Sequence, residues 1–166
     1  MRTTSFALAP TALALALLPA CSGNAPEARA EPGAVVSRID SSEVLLRTGQ
    51  GLGDPTRTVI RDSLAWTQFW IQANALIEPL PALPPVNFAD SMVLVAGSGT
   101  QATGGFTVLI DSVARGSVLR VFVTTVTPGR DCATTMAITW PVHVVRVARF
   151  EGSVEFVESE RTHDCK

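Results

Sequence analysis

The chain has 166 residues, a formal net charge of −2 at pH 7 and 46% hydrophobic residues. This length suits one domain with a sizeable core, and no second domain is needed. The basic residues are spread along the chain, which argues against a nucleic-acid partner, because proteins that bind nucleic acid concentrate basic side chains on one face.

The first 20 residues have the pattern of an export signal. Arg2 supplies a positive charge and residues 6–18 form an almost unbroken apolar run. A spanning helix needs roughly 20 apolar residues, so we expect this shorter run to be removed after export. The ending Leu-Pro-Ala-Cys resembles a bacterial lipobox, in which Cys21 receives a lipid and becomes the N-terminus. The alternative is an ordinary secretory signal cut near Ala20.

Residues 21–34 are predicted to be the lipidated cysteine and a flexible tether, because small residues, prolines and a glycine dominate them. Two or more acyl chains on Cys21 anchor a protein stably, at about 0.8 kcal/mol per buried CH₂. Ser22 follows the cysteine, and a residue other than Asp there resembles the sorting signal for the outer membrane. We therefore expect an exported protein held in the cell envelope by its N-terminal lipid, in the outer membrane, with its face undetermined.

The other two cysteines, Cys132 and Cys165, form an even pair in an oxidising compartment. A disulfide between them is predicted, and closing that loop stabilises the fold by about 3 to 4 kcal/mol on the chain-entropy model. Two free thiols are the alternative. A metal site built from both cysteines and His163 is also conceivable, but it lacks a fourth ligand.

The first half of the chain is predicted to hold short strands and one helix. Residues 35–47 and 56–61 carry β-branched runs, which a glycine-rich loop separates. A helix follows, with Asp62 or Ser63 as its cap. Its apolar stripe recurs at spacings of three and four and consists of Trp66, Phe69, Trp70, Ala73 and Ile77. Two tryptophans four residues apart also suggest a ligand platform, but a helix packed on a sheet is the favoured interpretation.

The second half is predicted to be mostly β. Four prolines between residues 79 and 85 end the helix and hold an extended connector. Apolar or alternating runs then follow at residues 92–96, 106–111, 118–126, 142–149 and 154–157. Tight turns between successive runs favour antiparallel pairing. The predicted fold is α+β, with a predominantly antiparallel β-sheet and one amphipathic helix packed on it; the alternative is an all-β sandwich with a helical insertion.

The inventory of reactive residues does not support catalysis, so we expect no enzyme activity, no metal and no cofactor. The two histidines are His143, within a strand pattern, and His163, in a polar tail. Ser98 lies between two glycines, but that spacing is not a nucleophile elbow. The glycine-rich residues 97–105 lack the ending and the following helix of a phosphate loop.

The segment that stands out is Thr103-Gly104-Gly105-Phe106, a glycine turn that leads into an alternating strand. Farther on, a Pro-Gly loop contains Cys132, and a strand is re-entered past Pro141. This order of motifs over residues 92–147 resembles the C-terminal domain of the PrcB-type protease-stability family. Ala102 and Phe106 depart from the proline and tyrosine that are frequent in that family.

The resemblance implies a noncatalytic lipoprotein that supports a surface protease through protein contacts. We accordingly interpret residues 35–166 as a single PrcB-like domain and residues 103–106 as a candidate partner-binding turn. The leading hypothesis is an accessory or stabilising subunit for a surface or secreted protein, with a protease as the candidate partner. The alternatives are a small β-domain protease inhibitor presenting the same loop, and a structural envelope lipoprotein.

Overall fold

The computed structural model describes residues 33–165, in which eight strands, one α-helix and one turn of 3₁₀-helix follow each other. The predicted signal peptide, Cys21 and most of the tether lie outside the described residues. The strands are β1 (Val35–Arg38), β2 (Val44–Thr48), β3 (Pro55–Ile60), β4 (Ser91–Ser98), β5 (Thr107–Arg115), β6 (Leu119–Pro128), β7 (Pro141–Ala148) and β8 (Val154–His163), and the helix α1 spans Ser63–Ala73.

The strands form two four-stranded sheets. The outer sheet has the order β1-β5-β6-β8, and the helix-backed sheet has the order β2-β7-β4-β3. Every pair is antiparallel except β6 and β8, in which Leu119 lies opposite Val154 and Pro128 opposite His163. The predicted α+β class with mostly antiparallel pairing is confirmed, and the helix covers one sheet face as expected.

One strand boundary and one strand pairing differ from the sequence prediction. The run at residues 35–47 is broken by the 3₁₀ turn Ser41–Glu43, where the Asp40 carboxylate accepts from the Ser42 amide at 2.9 Å. This turn carries the chain from the outer sheet to the helix-backed sheet. The turn at residues 151–152 likewise returns the chain to the outer sheet, so β8 runs in the same direction as β6 instead of pairing with β7.

The molecule has two distinct ends. At the proximal end β1 begins, with Val35 opposite Arg115 at the end of β5. At the distal end β5 begins at Thr107, β6 ends at Pro128 and β7 begins at Pro141. The N-terminal segment therefore joins the domain at the end opposite to the turn at residues 103–106.

The main core lies between the two sheets because the inward positions of their strands are apolar. Its buried members come from β4, β5, β6 and β7: Met92, Leu94, Ala96, Val108, Ile110, Val113, Leu119, Val121, Val123, Val145 and Val147. A second cluster lies between the helix-backed sheet and α1 and includes Trp66, Trp70, Val93, Val95 and Val144. Strand β4 is consequently buried on both faces, which explains its continuous apolar sequence.

Helix α1 begins at its predicted cap, where the Asp62 carboxylate accepts a hydrogen bond from the Ala65 amide at 2.8 Å. It ends at Ala73, before Ile77, although the apolar spacing continues. The buried Asn74 follows, and its side-chain amide donates to the Trp70 carbonyl at 2.8 Å. A side chain that bonds to the last turn in this way competes with further helix.

The two tryptophans of α1 hold the proline connector along the helix. The Trp66 indole donates to the Pro84 carbonyl at 3.0 Å, and the Trp70 indole donates to the Pro81 carbonyl at 2.9 Å. Both rings are buried against the helix-backed sheet. The pair therefore has a structural role in packing and in satisfying connector carbonyls.

Replacing Trp70 by phenylalanine should lower the free energy of unfolding by about 1 to 2 kcal/mol, because the Pro81 carbonyl loses its buried donor. Urea denaturation followed by circular dichroism measures the change. Leu64→Ala on the exposed side of the same helix is the control, with an expected change within about 0.5 kcal/mol. Equal effects of the two substitutions would contradict a role for the indole hydrogen bond.

Candidate functional site

The turn at residues 103–106 lies at the distal end and leads into β5. Gly105 has a φ of 90°, a left-handed conformation that side chains other than glycine's rarely adopt. A Cβ at Gly105 would also lie 3.0 Å from Pro128 Cβ and 3.1 Å from Thr134 Cγ2. Glycine is therefore required here both by the backbone and by close packing.

The loop at residues 129–140, which connects β6 to β7, packs directly on this turn. The Gly104 amide donates to the Thr135 carbonyl at 3.0 Å. Gln101 and Thr139 exchange two backbone hydrogen bonds of 2.8 and 2.9 Å, and the Thr139 hydroxyl donates to the Thr103 carbonyl at 2.8 Å. Turn and loop thus form one hydrogen-bonded unit.

This arrangement exposes a different segment from the one singled out in the sequence. Thr103, Gly104 and Phe106 are half-buried, and only Gly105 of the turn is exposed. Residues 136–138, which we call the tip, are exposed instead: Met136 is 92% exposed and Ile138 is 58% exposed. Sequence reasoning missed the tip because no periodicity marks it. The available signal was two large apolar residues within a polar loop bounded by Pro128 and Pro141.

The predicted disulfide is present and holds the same loop from its other side. Cys132 and Cys165 are bonded, with their Cα atoms 5.0 Å apart and a sequence separation of 33. The Gly129 amide also donates to the His163 carbonyl at 2.9 Å. The loop is therefore fastened to the end of β8 as well as to the turn, and neither free thiols nor a metal site describes this cysteine pair.

A shallow groove lies beside the turn, between the start of β5 and the end of β2. Its volume is about 270 Å³, and Phe106, Trp140, Pro141 and Arg47 are among the residues that line it. The two half-buried aromatic rings give it an apolar wall, while Arg47 adds a cation. Phe106 thus contributes to the surface through its ring.

His143 lies in the core and is remote from the exposed surface. The residue is 4% exposed, and its Nδ1 accepts a hydrogen bond from the Ile110 amide at 2.9 Å. That bond assigns the proton of the neutral ring to Nε2, which is buried and has no partner among residues 33–165. Burial, aided by Arg47 and opposed by Asp111, lowers the pKa of His143 to about 4. His143 therefore has a structural role, because it accepts a hydrogen bond from the Ile110 amide of β5, which lies beyond the residues of β5 that pair with β1.

The other residues considered for chemistry are not brought together. Ser98 ends β4, and its hydroxyl donates to the Pro141 carbonyl at 3.4 Å. His163 ends β8 at the exposed side of the domain. Within residues 33–165, no group of three or more His, Cys, Asp or Glu side chains is placed to hold a metal ion. Over the same residues, no helix has the length and apolar character to cross a membrane.

The fold and the site together define an α+β domain with two packed sheets. At its distal end, the turn at residues 103–106 and the loop at residues 129–140 are joined by hydrogen bonds. The family model described as PrcB C-terminal matches residues 92–148, from β4 to the end of β7. The predicted resemblance is confirmed over these residues, about a third of the chain, which are similar to the PrcB C-terminal family, a noncatalytic family associated with protease stability. Comparison with curated proteins and with solved structures gave no match.

Replacing Gly105 by alanine should lower the free energy of unfolding by about 1 to 3 kcal/mol, through backbone strain and the contact with Pro128. Gly53→Ala is the control, because its Cβ would meet only the Thr100 hydroxyl at 3.9 Å. We expect the control to change stability by less than about 1 kcal/mol. Chemical denaturation of both variants tests this, and similar losses would argue against a special backbone at Gly105.

Proposed function

We propose that this protein is a noncatalytic, lipid-anchored envelope protein that binds and stabilises another exported protein, with a protease as the partner. The observation that carries the proposal is the match of residues 92–148 to a family associated with protease stability. The matched segment contains both the turn and the loop that packs on it. The hydrogen-bonded unit of turn and loop therefore lies within the segment that matches the family model.

The proposed location is the outer membrane, through lipid on Cys21 after removal of residues 1–20. The lipobox-like ending and Ser22 support it. The proposed contact surface is the distal end, where the turn at residues 103–106 and the loop at residues 129–140 form one unit. Because the tether joins at the proximal end, this surface is free to face a partner.

The test compares the half-life of exported proteases in cells with and without this protein, together with its copurification. We expect at least one exported protease to be degraded faster in its absence, and to copurify with the lipidated protein. Purified protein should not hydrolyse casein or p-nitrophenyl esters. Unchanged half-lives of all exported proteases would overturn the proposal.

Protease inhibition is the second candidate function, because the loop at residues 129–140 is held at both ends with apolar side chains at its tip. Preorganisation of this kind lowers the ordering cost of binding. A panel of subtilisin, chymotrypsin and papain separates the two functions. Under the accessory proposal, micromolar protein leaves all three activities unchanged, whereas slowing of one of them would favour inhibition.

A structural envelope lipoprotein is the third hypothesis, and the turn variants discriminate it. If Gly104→Ala and Gly105→Ala lower stability without changing partner capture, the turn serves only the fold. A Cβ at Gly104 would clash with the Thr135 hydroxyl, so some destabilisation is expected under each hypothesis. Loss of the partner by a folded variant would identify a contact surface.

A further inference from the structure

We propose that the tip, Met136-Ala137-Ile138, is the principal contact with the partner and inserts into an apolar pocket on a folded protein. This inference rests on the proposed function and specifies its binding surface. It shifts the contact from the glycine turn itself to the three residues that the turn supports.

The first argument is exposure. Met136 is the most exposed large hydrophobic residue of the described chain, and Ile138 lies two positions away with more than half of its side chain exposed. Isolated exposed apolar residues are common on soluble proteins and need no explanation. Here two such residues occupy the outermost part of one short segment, so the apolar surface is concentrated on a protrusion.

The second argument is that this segment is held rigidly. On one side of the tip the Thr135 carbonyl accepts from Gly104, and on the other side Thr139 pairs with Gln101 in both directions. Only three residues span these two attachment points. The disulfide at Cys132 restrains the loop farther upstream. Because the loop is ordered before binding, little conformational entropy remains to be lost when Met136 and Ile138 are buried.

The third argument distinguishes a protein pocket from a lipid surface. The tip lies at the distal end, whereas β1 begins at the proximal end. Strand β5 has nine residues, so the ends are about 30 Å apart at 3.3 Å per residue. In the proposed anchored protein the tether thus joins on the side away from the tip. In addition, the distal end carries Arg47 and Arg130 together with Asp131 and Asp164, so it lacks the basic excess that anionic headgroups attract.

The test uses the full lipidated protein with p-benzoylphenylalanine at position 137 or, as the control, at position 64. Leu64 is 68% exposed on α1 and provides a matched apolar site away from the distal end. After irradiation of cells, we expect a protein adduct at position 137 that is absent at position 64. The adduct is identified by mass spectrometry, and that protein is then purified.

Affinity for the purified partner decides the outcome. The double variant Met136→Ser, Ile138→Ser should weaken binding at least about 10-fold, as expected for buried anchors, whereas Leu64→Ser should leave the Kd unchanged within about twofold. All three replaced side chains are exposed, so thermal unfolding should be nearly the same for the variants and the parent. An unchanged Kd for the double variant overturns the tip as the contact, while the accessory function stands.

If the tip contacts a lipid bilayer or a second copy of this chain, the results differ, and each of these results would overturn the proposal. A bilayer contact predicts binding to phosphatidylethanolamine and phosphatidylglycerol vesicles by protein lacking the lipid, and loss of that binding in the double variant. Self-association predicts an adduct of two copies of this chain. Absence of any adduct at position 137 also rejects the tip, and if protease half-lives are unaffected as well, the proposed function fails with it.

Discussion

Replacing Cys132 and Cys165 together by alanine is expected to lower the free energy of unfolding by about 3 to 4 kcal/mol. The disulfide closes a loop with a sequence separation of 33, and its removal returns that loop's conformational freedom to the unfolded chain. The measurement is urea denaturation of protein produced without its first 21 residues, in which these are the only cysteines.

Reduction supplies the control for this prediction. Wild-type protein treated with dithiothreitol should match the double variant, and the double variant should not respond to the reductant. Hydrogen bonds also join the loop at residues 129–140 to the turn, so we expect the fold to survive at reduced stability in both cases. A loss below about 1 kcal/mol would contradict the chain-entropy account.

Acidification from pH 6.5 to about pH 4 is expected to reduce stability by up to about 3 kcal/mol through His143 alone. The pKa of this histidine is about 4 in the folded protein, against 6.5 for an ordinary histidine. Between pH 6.5 and about pH 4, His143 is mostly protonated in the unfolded chain but mostly neutral in the folded core. Acidification over this range therefore favours unfolding. Once the pH falls below about 4, both states are protonated and this loss stops growing.

Two histidine variants isolate this effect from the protonation of carboxylates. His143→Gln removes the titration while its side-chain oxygen can still accept from the Ile110 amide, so its stability should vary less over this pH range. His163→Gln, on the exposed end of β8, should retain the wild-type pH dependence. The readout is the slope of unfolding free energy against pH. Equal slopes for wild type and His143→Gln would refute the role of His143.

Local patterns predicted most secondary structure because they reflect local physical constraints. The Asp62 cap and the spacing of Trp66 and Trp70 placed the helix, and the alternation in β5 and β6 reflects one buried face. The helix end was predicted too late because the side chain of Asn74 bonds to the Trp70 carbonyl, which periodicity does not reveal. The separation of β1 from β2 followed from the cap at Asp40, a signal present in the sequence but not used.

Contacts between distant segments limited the prediction of the site. The paired glycines indicated a turn, but nothing near Gly104 indicates that the Thr135 carbonyl accepts its amide. Once Cys21 is assigned to lipid, Cys132 and Cys165 are the two cysteines that remain. Only one pairing is then possible, and this was enough to predict the disulfide. The parallel alignment of β6 and β8 depends on the chain changing sheets after β7, and a tight turn alone favours the antiparallel arrangement.

The free side of β8 has a consequence for neighbouring copies of the protein. As an edge strand it offers unpaired backbone groups to any other extended chain, but the exposed charges of Glu155, Glu158, Glu160 and Arg161 lie along it. Glu158 is also engaged with Arg57 on the adjacent edge strand β3, at 2.6 Å. Charged edges resist strand addition, so these molecules can reach a high local concentration without aggregating through their sheets.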